Sequence, residues 1–234
     1  MESRRENASQ HESACARVAV QFRSLWLRNY VRTKLRTDRV YSVAYDLLGA
    51  SPEPILDVGC GVGLLGFYLR ERACRQPILG LDLDARKIGY GSTIAARGYP
   101  GIELRFQNVE APLPDFCGNV ALFDVLHYLR PRAQTALLTR VAERIAPGGL
   151  LVIREALRER RVRYWLTCLA EKFAQAISWN IDGALHFPSR AGINAAFEMA
   201  DFDRESRPLW GASPFNNYLF IFRRNASAVV PAAE

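Results

Sequence analysis

Apolar residues recur at helical spacing from residue 16 to residue 36, with Val18, Phe22, Leu25 and Trp26 on one face, so an amphipathic helix is expected there. A second helix is expected from Asp38 as N-cap, carrying Val40, Ala44 and Leu47 on one stripe and ending at Gly49. After Ser51-Pro52-Glu53-Pro54 the pattern changes. Strands expected at Ile55–Val58, Ile78–Leu81, Ile102–Phe106, Val120–Phe123 and Leu150–Ile153 alternate with helical stretches from Leu64, Ala85 and Arg132. Strands alternating with helices at this rhythm predict an α/β fold, a doubly wound parallel sheet with helices on both faces. The last part of the chain differs. A long helix over 160–177 and a shorter one after Ser189 precede two strands, 203–207 and 218–222, expected as a pair at one sheet edge. The domain reading is therefore a polar tail at 1–15, a helical cap at 16–50 and an α/β domain at 51–224. Residues 156–200 form its helical cover, and 225–234 are a second tail.

Composition narrows the class. With 49% hydrophobic and 24% charged residues, the chain can build a core, which restricts disorder to its ends. No apolar run reaches the roughly 20 residues that span a bilayer. The opening MESRRENASQHES has no hydrophobic stretch of the secretory kind. The five cysteines are scattered and form no C-x-x-C pair, so neither a disulfide framework nor a zinc site is suggested. Together these point to the cytoplasm. The net charge of +7 is concentrated in arginines of 17–39 and of 154–163. Such patches suit an acidic protein, anionic lipid or nucleic acid, and equally an ordinary solvated surface.

The chemistry concentrates in Ile55-Leu56-Asp57-Val58-Gly59-Cys60-Gly61-Val62-Gly63-Leu64-Leu65-Gly66. A buried strand enters a turn whose glycines remove every Cβ, and the following helix presents free N–H groups to a ligand. Glycine spacing alone also fits a dinucleotide fingerprint. Asp57 adds an acid at the strand's end, which suits a ligand carrying an amino group and no pyrophosphate. Asp82 closes the second strand about 20 residues past the turn, where a carboxylate can accept ribose hydroxyls. Its competing role is a helix N-cap, for which Asp84 is better placed. Beyond the third strand, Arg105-Phe106-Gln107-Asn108-Val109-Glu110 offers Glu110, or else Asn108, as an acceptor for an adenine amino group.

The ordered series ILDVGCGVG, LGLDLD, FQNVEAPLP, ALFDVLHYL and RIAPGGLLVIRE resembles the motifs of the class I S-adenosylmethionine (SAM) methyltransferase family. That resemblance implies a seven-stranded Rossmann-like sheet of order 3-2-1-4-5-7-6, with the seventh strand antiparallel. It implies that SAM is the cofactor, its methionine part cradled by Gly59, Cys60, Gly61 and Gly63 with Asp57 near the amino group. Asp82 and Leu83 would meet the ribose and adenine side, followed by Asn108, Val109 and Glu110, with Asp124 completing the set. Glu110 departs from the usual aspartate. The stretches YVRTKLRTDRVY, LHFPSR and PFNNYLF are similar to bacterial methyltransferases encoded beside aryl-polyene and fatty-acid-like biosynthetic enzymes. This narrower likeness implies secondary metabolism and an aromatic or acyl substrate, small or tethered to an acidic carrier protein.

For methyl transfer the sequence offers Asp124 and His127, just after the fourth strand, and His186 in the covering segment. His127 could take a proton from a phenol or activated carbon, or simply pack at the start of the next helix. Asp124 could bind ligand or cap a turn. No Asp/Asn-Pro-Pro-aromatic tetrapeptide and no Pro-Cys follows that strand, so methylation of base exocyclic amines or of cytosine C5 is not suggested. No metal-ligand spacing occurs. O- or C-methylation of a small or carrier-bound molecule remains, with no specific nucleic acid. Trp165, Leu169, Phe173 and Ile177 could form a substrate lid, a peripheral membrane-surface helix or plain core. The rival functions are an NAD(P)-dependent oxidoreductase, a SAM-fold protein without turnover, and nucleic-acid binding through the basic patches.

Overall fold

The structure is a computed structural model describing residues 2–158, 185–210 and 216–226. The strands are β1 (Ile55–Val58), β2 (Ile78–Asp82), β3 (Ile102–Phe106), β4 (Asn119–Phe123), β5 (Leu150–Ala156), β6 (Phe202–Pro208) and β7 (Asn217–Arg224). They form one seven-stranded sheet in the order β3-β2-β1-β4-β5-β7-β6. β7 runs antiparallel to both β5 and β6, while the pairs β1–β2, β2–β3 and β4–β5 are parallel. The described helices are α1 (Glu2–Val20), α2 (Leu25–Thr37), α3 (Val40–Leu48), α4 (Leu64–Glu71), α5 (Ala85–Gly98), α6 (Pro131–Glu143) and α7 (Arg190–Asn194). A single 3₁₀ turn covers Leu126–Tyr128. Among the described residues no helix is long and apolar enough to cross a membrane. The chain divides into two compact units, Met1–Val109 and Glu110–Glu234.

The first unit holds α1 to α5 and β1 to β3. All four residues of β1 are buried, as a strand covered on both faces requires. Helix α5 lies so close to the turn after β1 that a Cβ on Gly91 would come within 2.4 Å of the Val62 carbonyl oxygen. Only glycine permits that approach. The expected tail at 1–15 is instead most of α1. Ala14, Cys15, Val18 and Ala19 are buried, and polar side chains also fix the helix to α4. His11 Nδ1 lies 2.7 Å from the Tyr68 hydroxyl, and Arg72 donates to that hydroxyl and to Asn7 Oδ1. The expected single helix over 16–36 is broken at residues 21–24, where Phe22 turns inward against Tyr90. Asp38 does not cap α3 as the Ncap residue, a position held by Arg39; its carboxylate accepts from the Val40 N–H one step earlier.

The second unit holds β4 to β7, α6 and α7. β5 is buried along all seven residues, and the edge strand β6 is exposed beyond Phe202. Phe197 stacks on Phe222 at 4.0 Å between centroids, with Phe202 edge-on to Phe197. Pro131 starts α6 at a position where its missing N–H costs nothing. Arg224 donates to the Ala142 and Ile145 carbonyl oxygens at that helix's other end. Ser189 caps α7 by accepting from Gly192. The helix expected at 160–177, with Trp165, Leu169, Phe173 and Ile177, lies outside the described residues.

Candidate active site

In the first unit, β1 ends at Val58 and the chain enters the glycine turn. Gly59, Gly61 and Gly63 take φ values of 78°, 58° and 84°, a region that costs other L-residues roughly 1–2 kcal/mol each. At Gly61 a Cβ would meet nothing within 4 Å, so this backbone faces open space. Asp82 fixes the turn from β2: one carboxylate oxygen accepts from the Gly61 N–H and the other from the Asp84 N–H, both at 2.8 Å. Asp84, not Asp82, caps α5, accepting from the Arg86 and Lys87 N–H groups. Asp82 is thereby left at the strand end with further acceptor capacity on both oxygens.

Asp57 is buried on β1. Burial, and secondarily the neighbouring Asp82 carboxylate, push its pKa up to about 7. A cation placed beside it would reverse that cost. Cys60 is buried beneath the turn, close to Gly80, and burial with Asp57 and Asp82 nearby raises its thiol well above the ordinary range. It is a packing residue and no nucleophile. Leu83 is exposed, as is Phe106, which pairs in register with Asp82 across β2 and β3. Val109 is buried, whereas Asn108 and Glu110 are exposed, and Glu110 opens the second unit.

In the second unit, β4 is followed by Asp124, a non-glycine residue held at φ 56°. Its carboxylate pairs with the buried Arg154 guanidinium, and its N–H donates to the Arg154 carbonyl. One residue on, Glu155 is completely buried and accepts three hydrogen bonds: from His127 Nδ1 at 2.6 Å, from the Leu126 N–H at 2.9 Å and from the Ala156 N–H at 3.0 Å. A buried carboxylate satisfied this way organises both the imidazole and the first N–H of the 3₁₀ turn. His127 itself is buried, with Phe187 stacked on it at 5.4 Å and 17°. His186 enters through its backbone, its N–H donating to the His127 carbonyl oxygen at 2.8 Å.

A family described as a methyltransferase domain matches residues 28–206. The chain belongs to that methyltransferase family. With it come SAM as cofactor and the sheet order already observed. Among solved structures, the enzyme resembles magnesium protoporphyrin IX methyltransferase from Synechocystis PCC 6803, crystallised with S-adenosylhomocysteine (SAH). The TM-score is 0.59 at 14% identity, covering 87% of this chain and 90% of that one. It also resembles the N-methyltransferase NodS from Bradyrhizobium japonicum, at TM-score 0.58 and 16% identity, covering 81% of this chain and 87% of that one. At these identities the likeness is one of fold. A curated relative, ribosomal RNA small subunit methyltransferase C of Pseudomonas aeruginosa, is 34% identical over 121 residues, which is 50% of this chain. The match spans only 36% of that protein's length.

The methyltransferase structure assembles the sequence candidates in two groups. Asp57, Gly59, Cys60, Gly61, Gly63, Asp82 and Leu83 gather around the turn of the first unit. Asp124, His127 and His186 lie in the second, where His127 meets Glu155 and Asp124 meets Arg154. Sequence reasoning missed Arg154, Glu155 and Gln134. The first two interrupt an apolar run and read as the end of β5, yet both are buried there because each has a partner on the β4 side. Their signal was the adjacency of two charged residues directly after a strand whose neighbour ends in Asp and His.

Proposed function

We propose that this methyltransferase moves the SAM methyl group onto an oxygen or carbon of a small aromatic or acyl molecule, with His127 taking the acceptor's proton. The observation that carries this reading is the buried His127–Glu155 pair following β4. A carboxylate on Nδ1 fixes the imidazole tautomer and stabilises the imidazolium formed when Nε2 accepts a proton. Bound SAM supplies an electrophilic methyl group on a sulfonium. The residues of the first unit fit it. Asp57 is a buried carboxylate whose raised pKa an ammonium would lower, and Asp82 keeps acceptor capacity for a ribose diol. Gly61 gives open backbone for the methionine part, with Gly59 and Gly63 in the same left-handed region on either side of it, and the sequence resemblance assigns Leu83, Asn108, Val109 and Glu110 to the adenine side. Asp124, engaged with Arg154, serves to shape the turn that carries His127.

RNA is disfavoured as the acceptor. The turn after β4 reads Asp124-Val125-Leu126-His127, without the Pro-Pro-aromatic arrangement that positions an exocyclic amine. Much of the basic cluster at 17–39 is also paired within the molecule: Arg17 with Glu71, Arg32 and Arg36 with Glu12, Lys34 with Asp38. That pairing equally favours a free small substrate over one tethered to an acidic carrier. The carrier-bound, aryl-polyene form of the reading rests on the sequence resemblance.

The test is transfer of a labelled methyl group to a panel of phenols, hydroxy acids and acyl thioesters, with products identified by mass. His127→Ala should lower kcat by at least about 100-fold, the scale of a lost general base, while SAH affinity holds. Retention of kcat in that variant would remove His127 from the chemistry.

A further inference from the structure

Gln134 projects from the first turn of α6 and is buried. Its side-chain nitrogen Nε2 lies 2.9 Å from the Leu126 carbonyl oxygen, 3.0 Å from the Leu129 carbonyl oxygen and 2.5 Å from the His186 carbonyl oxygen. The first two acceptors flank His127 on the 3₁₀ turn. The third belongs to the segment that brings Phe187 onto the imidazole. The same segment is joined to the turn once more, by the His186 N–H on the His127 carbonyl oxygen. One amide therefore stitches together the two pieces of chain between which the ring is held.

We infer that Gln134 is a positioning residue for His127, and that the methyltransferase uses it to keep the imidazole in register with Glu155. The inference rests on His127 being the proton acceptor proposed above. Glu155 sets the tautomer only while Nδ1 stays within hydrogen-bond range, and nothing in the 3₁₀ turn itself guarantees this. Such turns are short and weakly held. Glu155 fixes the turn's beginning at the Leu126 N–H. Gln134 fixes its end at Leu129 and clamps the Phe187 side at the same time. An amide suits the place because its NH₂ group offers two protons to a cluster of carbonyl oxygens. A hydrophobic residue would take this donor from all three, of which the Leu126 oxygen keeps the Leu129 N–H, and a carboxylate would add like partial charge to them.

Long-range ¹H–¹⁵N correlation on the uniformly labelled full chain reads the tautomer of each imidazole directly. With three histidines in the sequence, the His127 signals are assigned by one substitution. The wild type should show a single tautomer with the proton on Nδ1. In Gln134→Leu both tautomers should be populated, kcat should fall by about tenfold or more, and the acidic limb of the rate–pH profile should change shape. Gln134→Glu keeps the side chain's size. It should behave like Gln134→Leu at pH 8 and recover as the carboxyl group is protonated and regains a donor, which bulk alone would not produce. A single, wild-type tautomer in Gln134→Glu at pH 8 would overturn the inference, even were Gln134→Leu to misfold. The tautomer is read without substrate. An active His127→Ala enzyme would thus defeat the base assignment, and an unchanged tautomer would defeat the positioning role.

Discussion

Asp57 shows how one residue can serve binding at the expense of stability. Its pKa of about 7 in the folded chain stands above the ordinary 3.8, so between those values the folded state holds a proton that the unfolded state has released. Stability contributed at this site therefore falls as pH rises through that window, and the full cost is present above pH 7. Asp57→Asn should melt several degrees higher than wild type at pH 8, with the difference vanishing near pH 4, as calorimetric scans would show. Binding has the opposite sign. An ammonium needs the ionised carboxylate, so wild-type affinity for SAH should rise between pH 6 and pH 8, while Asp57→Asn binds weakly and without that slope. The acid at this position was legible because it interrupts an apolar strand immediately before glycines. Glu155 was not, since a charged residue after Ile153 reads as the strand's end until its three donors are seen.

Helix α1 carries the clearest lesson at the scale of elements. Residues 1–15 are mostly polar and suggest a tail, because only a narrow face of the helix, with Ala14, Cys15, Val18 and Ala19, is buried. What docks it is a polar chain running from Asn7 through Arg72 and Tyr68 to His11, and such pairings across 57 to 65 residues leave no periodic trace in the sequence. The central strands β1, β4 and β5 were legible because burial on both faces demands continuous apolar runs. Burial, followed by the nearby Arg72 charge, lowers the pKa of His11 from 6.5, although Glu12 opposes the shift. A lowered histidine pKa makes folding resist protonation, so α1 docking is fully supported above pH 6.5 and weakens as pH falls below it. Amide hydrogen exchange in α1 should accordingly speed up at pH 5 relative to pH 8 by more than in α4, after correction for intrinsic rates. Tyr68→Phe, which removes the shared hydroxyl, should cost about 1–3 kcal/mol of stability, since buried partners are left unpaired.

Across the whole molecule, the sheet order fixes which strand ends carry chemistry, and it was legible through the ordered motifs more than through periodicity. The late strands β6 and β7 were placed within a residue or two, and their antiparallel pairing follows from the short connection between them. The central claim is that the glycine turn and Asp82 together hold the methyl donor. Calorimetric titration of wild-type protein and Asp82→Ala with SAH tests it most directly. Wild type should bind in the micromolar range and the variant, shown to be folded, should lose at least about tenfold in affinity, as expected for the loss of charge-assisted hydrogen bonds. Equal affinity in the two proteins would contradict the assignment of Asp82, and no binding by the wild type would contradict the cradle itself.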